Sequence, residues 1–246
     1  MSEQIKPGDA LRCVSRFIFF AVKSSLTINP EQGFDRYFST FDLYQSNIIY
    51  SMNSILSQNL FLAKEHVGMF KAANNYDIYN PDNNQIILNC RENNLGFFTK
   101  ILRFTDYKRA TPFNVEISTP SGEKLITVRR GVAIFRSTVE VLDEKDRLVG
   151  TFKQKFFSIG GKFDILDKNE KPVATLQGKW TGWDFKFSHE GKPLAQVSKK
   201  WAGLGKEFFT SADNYVLQIE ETVPTDSPLR QLILGAVMCI DMVLKE

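Results

Sequence analysis

Apolar and polar residues alternate in short bursts through the middle of the chain, and the bursts recur. Val115-Glu116-Ile117 is followed eight residues after Ile117 by Leu125, and three later by Val128. Val139-Glu140-Val141 repeats those offsets with Val149 and Phe152, and Phe163-Asp164-Ile165 repeats them with Val173 and Leu176. Phe185-Lys186-Phe187 reaches Leu194 and Val197 one residue sooner, and Tyr76-Asp77-Ile78 followed by Ile86 is a looser copy. A period of two is that of a half-buried strand. Between the halves of the units stand Asn80-Pro81-Asp82-Asn83, Thr119-Pro120-Ser121-Gly122, Asp143-Glu144-Lys145-Asp146, Asp167-Lys168-Asn169-Glu170 and His189-Glu190-Gly191. These residues favour tight turns through side-chain capping, a fixed φ or tolerance of positive φ. Each unit reads as a β-hairpin, recurring about every 24 residues along the better-matched stretch.

Five such hairpins predict an antiparallel all-β body of ten or more strands. A propeller is disfavoured, because its blades need four strands and a repeat of roughly 40 residues. A sheet of that size closes or folds on itself to hide its edges. The most hydrophobic stretch lies at the other extreme of the pattern, Leu232-Ile233-Leu234-Gly235-Ala236-Val237-Met238-Cys239-Ile240, followed by Asp241-Met242-Val243-Leu244. A bilayer-crossing helix needs roughly 20 apolar residues, and this run has nine before Asp241. Apolarity on every face suits a helix enclosed by protein. A barrel of ten to twelve strands has a lumen too wide for ordinary side chains to fill. The two features together predict a closed antiparallel barrel threaded by its own C-terminal helix, at about residues 228–245.

Residues 1–57 lack the hairpin pattern and read as a helical N-terminal extension to a barrel domain over 58–246. Leu11, Val14, Ile18 and Ala21 recur at helical spacing, with Arg12, Arg16 and Lys23 interleaved. Two readings stand side by side. Arg12, Arg16, Phe17, Phe20 and Lys23 form a basic amphipathic face suited to an anionic membrane surface, or the helix packs on the outside of the barrel. Phe17-Ile18-Phe19-Phe20-Ala21-Val22 is shorter than a signal-peptide core and lacks a cleavage site.

Composition changes this picture in three places. Of 246 residues, 43% are hydrophobic and 24% charged, which excludes global disorder, and 21 phenylalanines predict a bulky core. Cys13, Cys90 and Cys239 are odd in number and far apart, which excludes a disulfide scaffold or a cysteine zinc site and fits a reducing, cytoplasmic setting. The net charge of +3 is too mild to imply nucleic acid. It conceals eleven lysines against five acidic residues between Thr151 and Lys206. Arg129-Arg130 and Lys199-Lys200 follow second hairpin strands at equivalent places. If the barrel groups them, they form a basic rim for lipid headgroups. The alternative is a lysine-rich edge that discourages sheet aggregation.

No enzyme signature emerges. His66 and His189 are the only histidines, and neither has a nucleophile motif beside it. Gly160-Gly161-Lys162 and Gly203-Leu204-Gly205-Lys206 complete neither phosphate-loop nor dinucleotide spacing. No cofactor is expected.

Ser198-Lys199-Lys200-Trp201-Ala202-Gly203, then Glu207-Phe208-Phe209-Thr210-Ser211-Ala212-Asp213-Asn214-Tyr215, then the apolar run Ile233 to Leu244 with its lone Asp241, resemble the C-terminal part of the phospholipid scramblase family. A looser likeness reaches back to Leu62-Ala63-Lys64-Glu65. The resemblance implies a tubby-like architecture, a twelve-stranded barrel around a hydrophobic helix. It also implies calcium-activated movement of phospholipids, or membrane and phosphoinositide association without transport. Departures accompany the likeness. The family's calcium segment would begin at Ser211, with Ser211, Asp213 and Thr222 at its first, third and twelfth places and Val216 where glycine is usual. A calcium loop needs several hard oxygens and a glycine for its bend. Ser211, Asp213 and Asn214 are therefore a degraded metal segment, and strong calcium dependence is not expected. The family's palmitoylated cysteine cluster corresponds to Arg130-Gly131-Val132-Ala133-Ile134-Phe135-Arg136, which contains no cysteine. The expectation is a scramblase-like protein in peripheral or transient contact with anionic phospholipids. The alternative is a cytosolic tubby-like binding or scaffold module for phosphoinositides, proteins or nucleic acid.

Overall fold

A computed structural model describes residues 54–66, 73, 75–92, 95–105, 110–133, 137–155, 161–179, 183–199 and 214–244. Twelve strands run in sequence order: β1 (Leu60–Glu65), β2 (Tyr76–Tyr79), β3 (Ile86–Glu92), β4 (Phe113–Ser118), β5 (Lys124–Arg130), β6 (Thr138–Asp143), β7 (Leu148–Gln154), β8 (Lys162–Asp167), β9 (Pro172–Lys179), β10 (Asp184–His189), β11 (Lys192–Ser198) and β12 (Asn214–Ile219). A short helix α1 (Phe97–Leu102) lies between β3 and β4, and α2 (Pro228–Leu244) follows β12. Each strand pairs antiparallel with its sequence neighbour, and β12 pairs with β1 through Leu60↔Gln218 to Lys64↔Asn214, closing the barrel.

Local chemistry makes the hairpins. At β6–β7 the Asp143 Oδ1 accepts the backbone N–H of Lys145 and of Arg147, both at 2.9 Å. At β8–β9 Asp167 Oδ1 does the same for Asn169 and Lys171, at 2.8 and 2.9 Å. The carboxylate thus satisfies turn N–H groups that face away from the ladder. Each turn then passes through one left-handed residue, Asp146 at φ 60° and Glu170 at φ 63°. The ladder slips by one residue where the strand resumes, between Val141 and Leu142 and between Ile165 and Leu166. That bulge has a consequence for the repeat. Val149 and Val173, apolar at matching offsets, are half-buried, while the fully buried positions are Gly150, Phe152, Ala174 and Leu176.

The inner face carries Val115, Ile117, Ile126, Val128, Val139, Val141, Phe152, Phe163, Phe185 and Phe187, all buried. Helix α2 begins with Ser227, whose Oγ accepts the Leu229 N–H at 3.3 Å, and with Pro228 in the first helical position. Proline is favoured there because its missing N–H would have no helical partner. From Leu232 to Ile240 every side chain of the helix but Gly235's hydrogen is apolar or thiol, and all are buried. The helix packs against β5, β6, β7 and β12. Two glycines permit the approach. A Cβ on Gly235 would meet Val141 and Val128 methyls at 3.1 and 3.2 Å, and one on Gly150 would collide with the Leu166 carbonyl oxygen.

Since neighbours are antiparallel, all odd-numbered strands run one way and define two rims. The lower rim is where they begin. There Arg230, 1% exposed, ties the start of α2 to both ends of the barrel sequence. Its Nη1 donates to the Leu56 and Gln58 carbonyls at 2.9 and 3.0 Å, and its Nη2 to Asn59 Oδ1 at 2.8 Å and Val223 O at 2.9 Å. Its Nε donates to Pro224 O at 3.0 Å. The upper rim is where the odd strands end, and it carries the groove described next.

Candidate functional site

Strand β5 ends at the upper rim with two arginines whose side chains part company, as successive strand residues must. Arg129 points outward, about half exposed, and its Nε donates to Glu140 Oε2 at 2.6 Å. Arg130 points inward and is buried. Its Nη1 donates to Ser137 Oγ at 3.0 Å, its Nη2 to Thr111 O at 2.6 Å, and its guanidinium lies 4.8 Å from the Phe113 ring centre. In α2, burial pushes the Cys239 thiol pKa up, and the charge of Arg130 opposes that rise.

A second buried arginine braces the floor from behind. Arg103, just past α1, holds Glu92 at the end of β3 through Nη1–Oε2 at 2.5 Å and Nη2–Oε1 at 2.6 Å. The same Nη2 donates to Pro112 O at 2.9 Å. A bidentate guanidinium–carboxylate pair fixes both position and orientation. Above this floor opens a groove of about 690 Å³, with Thr99, Asn114, Arg129, Arg130 and Val132 among its lining. Ligand sites span roughly 300–1,000 Å³.

Beside the groove stands a group that the hairpin pattern does not reveal. Phe97, Phe98 and Phe104 are 72, 79 and 62% exposed, Val132 is 71% exposed, and Ile101 and Leu102 are exposed too. Scattered apolar surface residues are ordinary, whereas large exposed groups mark interaction surfaces; Phe97 and Phe98 meet edge to face here, with ring centres 5.8 Å apart. Phe97, Phe98, Ile101 and Leu102 fall at helical spacing, which in a sequence reads as a core-facing stripe.

Lys199 follows β11 at the same rim, with its Nζ 4.3 Å from the Trp183 ring centre and 5.1 Å from that of Tyr215. The two rings stack at 4.6 Å. Strands β5 and β11 are six steps apart whichever way round the barrel one counts. At about 4.8 Å per strand this puts Arg129 and Lys199 on opposite walls of one rim. Lys200 lies outside the described residues, as do Arg12, Arg16, Phe17, Phe20, Lys23, Ser211 and Asp213.

Asn214, the remaining member of the degraded calcium segment, is buried at the start of β12 and pairs in register with Lys64. With the residues that follow, it forms the extended strand β12 (Asn214–Ile219), so the fourth to ninth places of the segment run straight. A calcium loop curls around its ion, with a glycine at its sharp bend. Among the described residues no three His, Cys, Asp or Glu side chains are grouped to hold a metal. His66 Nε2 and Asp77 Oδ2 are 2.7 Å apart, Arg91 Nη2 meets Asp77 Oδ1 at 2.6 Å, and His189 is exposed at the end of β10.

The architecture defines the class: a closed twelve-stranded antiparallel barrel wrapped around its C-terminal helix. The family model described as Scramblase matches residues 43–246, and the chain belongs to that family. It is 23% identical to human phospholipid scramblase 2 over 72% of this chain and 62% of that protein. It is 22% identical to human phospholipid scramblase family member 5, over 54% of each. A phospholipid scramblase family protein of Schizosaccharomyces pombe is 25% identical over 68% of this chain and 48% of its own length. The chain thus spans about half to three fifths of these relatives. No solved structure gives a significant match. Among the described residues no helix is long and apolar enough to cross a membrane, which says nothing of strands.

Proposed function

We propose that this chain is a scramblase-like protein that associates peripherally and transiently with anionic membrane phospholipids, from a cytoplasmic location. The observation that carries the reading is the family match across residues 43–246. The upper-rim groove supports it, because it joins Arg129 to an exposed apolar group, the two chemistries a phospholipid presents. Residues 1–57 form a separate N-terminal extension in this reading, in which Arg12, Arg16, Phe17, Phe20 and Lys23 give a second membrane contact. Dual contacts matter because single weak signals anchor poorly. Lys199 adds a basic group on the far wall, and Lys200 is a further candidate headgroup contact in this reading.

Flotation with neutral and anionic vesicles tests association. Recovery of the protein with the anionic vesicles supports the reading, and recovery with neither kind removes it. Lipid movement is tested by reconstitution with a headgroup-accessibility assay. The extended β12 and the missing carboxylates support movement that does not depend on calcium. Equal rates in calcium and in chelator are expected, and a calcium-stimulated rate would overturn that part.

A further inference from the structure

Helix α1 is turned inside out relative to an ordinary surface helix. At 100° per residue, Phe97, Phe98, Ile101, Leu102 and the following Phe104 cover an arc of roughly 160°. That arc faces solvent, no residue of the helix is buried, and the polar Thr99 lines the groove instead. The helix is held in this attitude. Arg103 follows it directly and is locked into the barrel by Glu92 and the Pro112 carbonyl, and Arg103 N–H closes onto Thr99 O at 3.0 Å. Val132, on the loop after β5, adds another exposed apolar side chain to the lining of the groove.

The charge around this surface selects its partner. Lys100 is exposed on the helix, Arg129, Arg130 and Glu140 line the groove, and Glu92 in the lining is neutralised by the buried Arg103 behind it. Two net positive charges next to aromatic and aliphatic side chains complement an anionic lipid surface, where headgroup phosphate and acyl chain adjoin. An interfacial helix sinks its apolar face about 5–10 Å, close to the radius of a helix with its side chains.

We propose that α1 and Val132 form a wedge that enters the headgroup–acyl boundary of an anionic bilayer, while the groove behind it receives a phospholipid headgroup whose phosphate is bound by Arg129. This rests on the membrane-association reading and specifies the surface that performs it. The barrel then stands with its upper rim toward the bilayer, and Arg129 exchanges Glu140 for phosphate.

The test uses the full chain and co-sedimentation with phosphatidylcholine vesicles, with and without phosphatidylserine. Phe97→Ser with Phe98→Ser should weaken binding to both vesicle types by roughly 30-fold, from the apolar surface no longer withdrawn from water. Both side chains are exposed, so thermal unfolding should stay unchanged. Arg129→Gln should weaken binding several-fold to the phosphatidylserine vesicles. In Phe98→Trp, brominated acyl chains should quench emission beyond the quenching seen in the wild-type chain. If the wild-type chain binds no vesicle, the wedge and the membrane reading fall together. If it binds and the double serine variant binds equally, or Phe98→Trp shows no added quenching, the wedge alone falls. A dimer in vesicle-free solution that the double serine variant loses, with vesicle binding intact, would assign the surface to a second copy instead.

Discussion

Both rims of the barrel bury arginine, Arg230 at the lower and Arg103 and Arg130 at the upper, and the two ends use it differently. At the lower rim Arg230 is surrounded by carbonyl and amide oxygens from residues 56–59 and 223–224, segments far apart in sequence. It stitches the first strand's approach, the last strand's exit and the central helix together. At the upper rim Arg130 shares Thr111–Phe113 with the Arg103–Glu92 pair and forms the floor of an open groove flanked by exposed aromatics. One end is sealed by hydrogen bonds. The other is built firmly yet leaves apolar surface in water. Exposed apolar groups mark interaction sites, and the membrane contact proposed above lies at this open end.

The largest effect should come from the element both rims share. Gly235→Glu places a carboxylate among Val128, Val141 and Ile126. Burying it unpaired should cost at least about 4 kcal/mol and remove cooperative unfolding by circular dichroism. Arg230→Met should cost about 3 kcal/mol, because several buried carbonyls lose their donor, and thermal denaturation reads it directly. A drop in vesicle binding at unchanged stability would contradict the assignment of the lower rim to structure.

Asp143 sets a smaller effect with a defined pH dependence. Burial raises its carboxyl pKa, but the backbone N–H of Arg147, the Arg147 guanidinium and the backbone N–H of Lys145 outweigh burial and hold it below the ordinary value. A depressed folded-state pKa means the unfolded chain takes up the proton first. The stabilisation is therefore complete above roughly pH 4, the unfolded value, and is lost as pH falls through the lower folded value. Asp143→Asn should remove about 1 kcal/mol at neutral pH and flatten the acid limb of the stability curve. The smallest stability change belongs to the upper rim. Arg129→Ala should alter unfolding by less than about 0.5 kcal/mol, since its partner Glu140 is exposed, while anionic-vesicle binding falls. Arginine substitutions at the two rims should thus separate stability from binding.

Much of the barrel is legible in the sequence because its causes are local. Alternation marks strands, and Asp143 and Asp167 mark turns by the same short-range hydrogen bonds that the structure contains. The number of hairpins then demands closure, and a wide lumen demands a filling that the run from Leu232 to Ile240 supplies. The site is less legible. Period-two geometry separates Arg129 from Arg130, and strand order separates Lys199 from both by half the circumference. Phe97, Phe98, Ile101 and Leu102 give no warning, because helical apolar spacing does not say whether a stripe faces core or solvent.

The many-stranded antiparallel barrel, its turns and the identity of its filling are written into the chain locally, since each follows from short-range periodicity, turn chemistry and volume. Which rim is sealed, which arginine turns inward and that α1 shows its apolar face to water are settled only once the chain has closed. Those outcomes depend on contacts between residues distant along the chain, such as Arg230 with Leu56 and Arg103 with Glu92. Periodicity is a property of neighbours, whereas exposure is a property of everything that packs around a residue.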